Sequence, residues 1–263
     1  MKKLMLFIAL FFAAAIAQAA VQGKEISYSA QGATMKGYLA FDDAVQGKRP
    51  GVLVVHEWWG HNDYARSRAN KLAELGYTAL AVDMYGDGKQ AAHPDDASKF
   101  MNAVMSKKAV AKARFEAAMK LLKKQKTVDA KNIAAIGYCF GGGVVLEMAR
   151  RGVPLKAVAS FHGALGTDAP AQPGKIHAKV IAFTGADDPM APAKVVEEFK
   201  QEMDKAGANY KVVSYPGVKH SFTNPAADDY GKRFNMPLAY NAEADQASWA
   251  EAQSFLADAF KAK

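Results

Sequence analysis

Apolar and polar positions alternate in Ile26-Ser27-Tyr28-Ser29 and again in Met35-Lys36-Gly37-Tyr38-Leu39-Ala40, on either side of Gln31-Gly32. This spacing predicts two antiparallel strands. After a polar loop from Asp42 to Pro50, Gly51-Val52-Leu53-Val54-Val55 is a continuous apolar run, as expected of a strand buried on both faces. The pattern then changes period. A helix is predicted from about Asn62 to Leu75, ended by Gly76, and Tyr77 to Asp83 is the next strand. A helical region runs to about Lys126, and Asn132-Ile133-Ala134-Ala135-Ile136 is a short strand followed by an amphipathic helix from Val144 to Arg151. Leu155–Phe161, Lys179–Phe183 and Tyr210–Tyr215 read as further strands, Ala193–Ala206 and Glu243–Phe260 as helices. Strands alternating with helices predict an α/β fold: a mainly parallel central sheet, helices on both faces and an antiparallel N-terminal edge. In such sheets ligands sit at the carboxyl ends of the strands. No internal repeat, low-complexity tract or long linker divides the chain.

The first residues depart from this pattern. Lys2-Lys3, the apolar run from Leu4 to Ile16 and Ala17-Gln18-Ala19 form a basic start, an apolar segment and a small-x-small end. This predicts a signal peptide, residues 1–19, and an exported, periplasmic or secreted protein whose single domain spans 20–263. The run is shorter than the ~20 residues of a membrane-spanning helix, so no stable membrane anchoring is expected. The net charge of +8 falls to +6 without the leader, which is not a nucleic-acid signature. The lysines from Lys107 to Lys126 alternate with Ala111, Phe115, Ala118, Met119 and Leu122 at helical spacing, the pattern of a solvated helix face. A monomer is expected. The chain has one cysteine, so no internal disulfide can form. A lone thiol in an oxidising compartment is either reactive or well buried.

That cysteine lies in Gly137-Tyr138-Cys139-Phe140-Gly141-Gly142-Gly143, between predicted strand and helix. Strand, tight corner with a nucleophile, then helix is the order of a nucleophile elbow, whose flanking glycines allow the sharp turn. The free amides of the helix start favour a thiolate and an oxyanion, Phe140 N–H first among them. On G-x-C-x-G alone, a nucleophile and a buried structural cysteine are equally good readings. A thiol nucleophile needs a histidine base and an acid to orient it, in the chain order nucleophile, acid, histidine. Asp187-Asp188 follows one predicted strand and His220 follows the last. The other histidines, His56, His61, His93, His162 and His177, have no such place in the order. His56-Glu57 with His61 has H-E-x-x-x-H spacing on a loop, so no metal site is expected. The glycine-rich corner lacks the Lys-Ser/Thr ending of a phosphate-binding loop, so no cofactor is expected. Trp58 and Trp59 suit a pocket wall or core.

Val54-Val55-His56-Glu57-Trp58-Trp59-Gly60, Ala73-Glu74-Leu75-Gly76-Tyr77, Asp83-Met84-Tyr85, Gly137-Tyr138-Cys139-Phe140-Gly141-Gly142, Asp188-Pro189 and Gly217-Val218-Lys219-His220-Ser221-Phe222 run in order through nearly the whole chain. Together they resemble the dienelactone hydrolase family of the α/β-hydrolase superfamily. The resemblance implies an α/β-hydrolase fold and a Cys139-His220-Asp188 triad that cleaves a small ester or lactone through a thioester. Asp188 is preferred to Asp187 because Gly185 and Pro192 around it resemble the G-x-x-D-x-x-x-P turn of many α/β-hydrolases. The resemblance also implies that Glu57 holds the resting thiol and helps deprotonate it, and that the amides of Trp58 and Phe140 form the oxyanion hole. Trp59, Tyr85 and Phe222 are expected around the substrate. Family members that cleave dienelactone resemble one another in two arginines that pair with a substrate carboxylate; Asp87 and Asn224 occupy those positions here, with Lys89, Lys219 and Arg233 as nearby cations. The implied substrate is therefore not dienelactone itself. The segment from Thr223 to Asp245 is expected to cover the site. Two other classes remain open: a non-catalytic binding protein on a hydrolase scaffold, and a single-thiol redox sensor.

Overall fold

The computed structural model describes residues 21–261; the expected signal peptide at 1–19 lies outside the described residues. Strands β1 (Val21–Ala30) and β2 (Ala33–Asp42) form a hairpin whose turn residues, Gln31 and Gly32, both have positive φ. The other strands are β3 (Arg49–Val55), β4 (Thr78–Val82), β5 (Val128–Tyr138), β6 (Ala157–Phe161), β7 (Lys179–Gly185) and β8 (Tyr210–Tyr215). They form one eight-stranded sheet in the order β1-β2-β4-β3-β5-β6-β7-β8. Pairing is antiparallel for β1/β2 and β2/β4 and parallel from β4 to β8.

The helices are α1 (Asp63–Glu74), α2 (Pro94–Met105), α3 (Lys108–Lys123), α4 (Phe140–Arg150), α5 (Ala193–Ala206), α6 (Ala227–Phe234) and α7 (Ala242–Lys261). Successive side chains of a strand point to opposite faces. Accordingly Leu53 and Val55 of β3 join one core with α2 to α5, and Val52 and Val54 join a second core with α1 and α7. The expected helical region before Lys126 is two helices, broken at Ser106-Lys107. On α3, Ala111, Phe115, Ala118, Met119 and Leu122 are all buried. The segment from Thr223 to Asp245 contains a helix, α6, in addition to the loop expected there. Among the described residues no helix is long and apolar enough to cross a membrane.

Candidate active site

The parallel strands deliver their carboxyl ends to one edge of the sheet, and β5 arrives there with Cys139. The residue has φ 52° and ψ −116°, a left-handed conformation unusual for a side chain larger than glycine. Neither Gly137 nor Gly141 has positive φ. Their role is close approach: a Cβ on Gly137 would stand 2.1 Å from the Gly141 carbonyl oxygen, and one on Gly141 would stand 2.2 Å from that of Val55. The sharp turn is thus taken by Cys139 itself, and the glycines let α4 press against β3 and β5. Gly141 N–H donates to the His56 carbonyl at 3.1 Å, tying the corner to the loop after β3. The backbone amides of Phe140 and Trp58 donate no hydrogen bond among the described residues.

The loop after β7 places Asp188, and the loop after β8 places His220. His220 Nδ1 lies 2.7 Å from Asp188 Oδ2, and both side chains are buried. Asp188 Oδ1 accepts the Met190 N–H at 2.8 Å, fixing the carboxylate. Asp187 is exposed. Burial works to lower the His220 pKa, but the charge of the neighbouring Cys139 and the hydrogen bond to Asp188 raise it to about 10. Its Nε2 is buried beside the cysteine without a well-formed hydrogen bond.

Among the described residues Glu57 makes no hydrogen bond to the thiol. Its Oε2 accepts a hydrogen bond from Asn224 Nδ2 at 2.5 Å, and its Oε1 is buried without a partner. The Asn224 amide is held in turn, because its Oδ1 accepts the Ala226 N–H at 3.0 Å. Burial raises the pKa of Glu57, against the opposing effects of Asn224 and His220.

A pocket of about 190 Å³ opens on Cys139 and His220. Trp58 and Phe140 form its aromatic wall, Met101 comes from α2, and Ala164 and Met190 follow β6 and β7. Met236 and Leu238, just after α6, complete it, so the segment expected to cover the site does contribute. Three residues expected at the substrate stand behind this wall. Trp59 is buried and stacks on Tyr230 of α6 with ring centroids 4.3 Å apart, and Phe234 lies 5.8 Å away. Tyr85 donates its hydroxyl to the Trp58 carbonyl at 2.9 Å and packs on Phe140. Phe222 is fully buried in the α1 and α7 core, edge-on to His162. Lys89, Lys219 and Arg233 are exposed and line no part of the pocket, and Asp87 is exposed beside Lys89.

His162 is the residue that sequence reasoning passed over. It sits at the end of β6 with φ 41°, and its Nδ1 shares the Cys139 N–H, at 3.1 Å, with the Phe161 carbonyl at 3.0 Å. Since that nitrogen accepts, the ring proton is on Nε2, which donates to Thr223 Oγ1 at 2.7 Å. Burial, then the neighbouring His220 and Arg68, hold its pKa well below the usual histidine value. Thr223 Oγ1 also meets the Tyr64 hydroxyl at 2.6 Å. Below it Arg68 donates to the Thr223 carbonyl and to Asp245 among the rings of Tyr64, Tyr138 and Trp249. Its place at the end of a parallel strand was the available signal. His56 accepts the Met84 N–H, and His61 is buried with neither ring nitrogen bonded. Among the described residues no cluster of three or more histidine, cysteine or acidic side chains is arranged for a metal ion.

Known proteins share the sequence pattern and the fold that carry this site. The model of the dienelactone hydrolase family matches residues 35–260. The solved structure of P91, a dienelactone hydrolase-like promiscuous phosphotriesterase from metagenomic libraries, is 34% identical with a TM-score of 0.84, covering 92% of this chain and 99% of its own. The structure of m3DLH is 36% identical with a TM-score of 0.86 and the same coverage. Protein usf of Aquifex pyrophilus is 28% identical over 79% of this chain and 90% of its own length.

Proposed function

The chain belongs to the dienelactone hydrolase family of α/β-hydrolases, enzymes that cleave esters and lactones, and on that premise we propose that it is an exported hydrolase of small esters or lactones other than dienelactone, using a Cys139-His220-Asp188 triad. The observation that carries the proposal is the juxtaposition at the strand ends: a strained Cys139 beside a His220 whose far nitrogen is held 2.7 Å from Asp188. In the first half-reaction the Cys139 sulfur attacks the carbonyl carbon, the ester C–O bond breaks, and the leaving alkoxide takes a proton from the His220 imidazolium. A water then attacks the thioester, His220 takes its proton, and the thiolate departs with the acid as product. The free amides of Phe140 and Trp58 would hold the oxyanion in both steps, a contribution of roughly 3 kcal/mol per donor. Glu57, poorly solvated and with one oxygen unpaired, is available as a proton acceptor for the resting thiol if it turns from Asn224. Water and ester suffice for this cycle.

The test is hydrolysis of a panel of short-chain aryl esters and lactones by wild type, Cys139→Ala and Glu57→Gln. Turnover that disappears with Cys139→Ala and falls at least tenfold with Glu57→Gln is the expected result. Undiminished hydrolysis by Cys139→Ala would overturn the thiol mechanism, and ligand binding without turnover by wild type would favour a binding protein.

A further inference from the structure

Resting on the acyl-hydrolase reading, we propose that the pocket beside Cys139 accepts uncharged, apolar acyl groups of about the bulk of a benzene ring and rejects acyl groups that carry a carboxylate. Its volume of about 190 Å³ compares with the ~150 Å³ apolar cavity that binds benzene in an engineered protein. The walls are aromatic or aliphatic: Trp58, Phe140, Leu238 and three methionines, Met101, Met190 and Met236. Methionine is unbranched and readily changes rotamer, so such a wall adapts to linear or ring-shaped groups while staying apolar. No lysine, arginine, aspartate or glutamate side chain lines the pocket.

The polar groups beside the wall serve the reacting centre: the free amides of Phe140 and Trp58 face the reacting carbonyl in the proposed cycle, and His220 and Asn224 have partners of their own. His220 gives Nδ1 to Asp188 and presents Nε2 to the reacting sulfur. Asn224 donates to Glu57 and accepts from Ala226. Lys89 faces Asp87 at 3.6 Å in solvent, and the Arg233 guanidinium lies 5.0 Å from the centre of the Phe234 ring, outside the pocket. The one cation lining the pocket, the His220 imidazolium, is committed to Asp188 and the reacting sulfur, so a carboxylate at the far end of the acyl group would lose its hydration and gain no counter-ion of its own, and a poorly paired charge taken out of water is penalised far more than a methyl group. Glu57, buried near His220, would add repulsion whenever ionised.

The experiment compares kcat/KM of the purified protein for the 4-nitrophenyl esters of hexanoate, adipate and monomethyl adipate. The first two differ only by a terminal methyl against a terminal carboxylate, and the third restores neutrality at similar length. Hexanoate and monomethyl adipate are expected within about tenfold of each other, and adipate lower by roughly a hundredfold or more. Adipate turnover within about tenfold of hexanoate would overturn the proposal while leaving the hydrolase reading intact. Absence of turnover on all three would instead remove the hydrolase reading, and pocket selectivity is then read without catalysis. For that, Cys139 is labelled with methyl methanethiosulfonate and with its anionic 2-sulfonatoethyl analogue, each rate normalised to a free thiol. A preference for the neutral reagent of about tenfold or more supports charge exclusion, and equal normalised rates overturn it. A rim variant supplies the converse. Met190 is 47% exposed, so Met190→Lys is compatible with folding, and it is expected to raise adipate turnover about tenfold relative to hexanoate. An unchanged ratio in that variant would contradict the assignment of selectivity to the missing cation.

Discussion

His220 must accept a proton in one half of the proposed cycle and give one up in the other, and its surroundings hold it toward the protonated form. Its pKa is raised to about 10 despite burial, through the charge of Cys139 and the hydrogen bond to Asp188. A raised histidine remains an acid for the leaving group until the pH passes that value, so the alkaline limb of kcat/KM is expected near pH 10 rather than near the ordinary histidine value. Asp188→Asn removes one of the raising contributions and should shift that limb to lower pH, along with a large loss of rate. A limb that stays in place in the variant would show that Asp188 does not act on His220. The positions of Cys139, His220 and the pair Asp187-Asp188 at strand ends are legible in the chain order, and the choice of Asp188 rests on the resemblance of its turn. His162 and Asn224 are not legible there, because their roles lie in single hydrogen bonds between loops distant in sequence, to the Cys139 amide and to Glu57.

The strand β5, the corner and the helix α4 act as one device. The strained backbone at Cys139 persists only because its surroundings fix it, and Gly141 is where helix and strand come closest. A methyl group there would meet the carbonyl oxygens of Val55 and His56 at 2.2 and 2.6 Å, and a backbone cannot yield as a side chain can. Gly141→Ala is therefore expected to lower stability by roughly 1–3 kcal/mol, read as a lower urea midpoint at unchanged m-value, and to slow acylation by moving the Phe140 amide. An unchanged midpoint and rate would show that the corner has slack. The glycine spacing announced this device, although the sequence suggested turn-making and the structure gives close packing. Helix α6 is the element that periodicity missed. It is eight residues long, only Ala227 on it is buried, and its anchor is the distant Trp59 ring rather than an apolar stripe of its own. Trp59 therefore serves the pocket indirectly, by holding the segment that brings Met236 and Leu238 to it.

Over the whole molecule, the alternation of strand and helix places the site at the strand ends, because the inner parallel strands β3, β4, β5 and β7 carry continuous apolar runs, while the edge strand β8, interrupted by Lys211 and Ser214, is read from its β-branched and aromatic residues. The pocket wall was less legible, since Met101, Met190, Met236 and Leu238 come from separate loops and helices with no shared motif. The packing that makes this interior also sets its response to acid. His56, His61 and His162 are buried, and burial lowers all three pKa values, that of His61 to about 3. Below the unfolded value of 6.5 the unfolded chain takes up protons that the folded one refuses, so stability falls as pH drops through 6.5. His220 opposes this weakly, because it is already protonated in the folded state. Glu57, an acid raised by burial, also opposes it, but the three histidines outnumber these two groups, so a net loss of stability between pH 6.5 and 5.5 is expected by urea unfolding. Constant stability over that interval would mean that these histidines are solvated in the native protein.

The central claim, that Cys139 carries the acyl group, is tested most directly by mixing the protein with a 4-nitrophenyl ester, quenching in acid within the first turnover and measuring intact and peptide masses. An acyl adduct on the peptide containing Cys139 is expected, formed with a burst of nitrophenol and released by neutral hydroxylamine. Steady turnover with no adduct on that peptide, or an adduct on another residue, would contradict it.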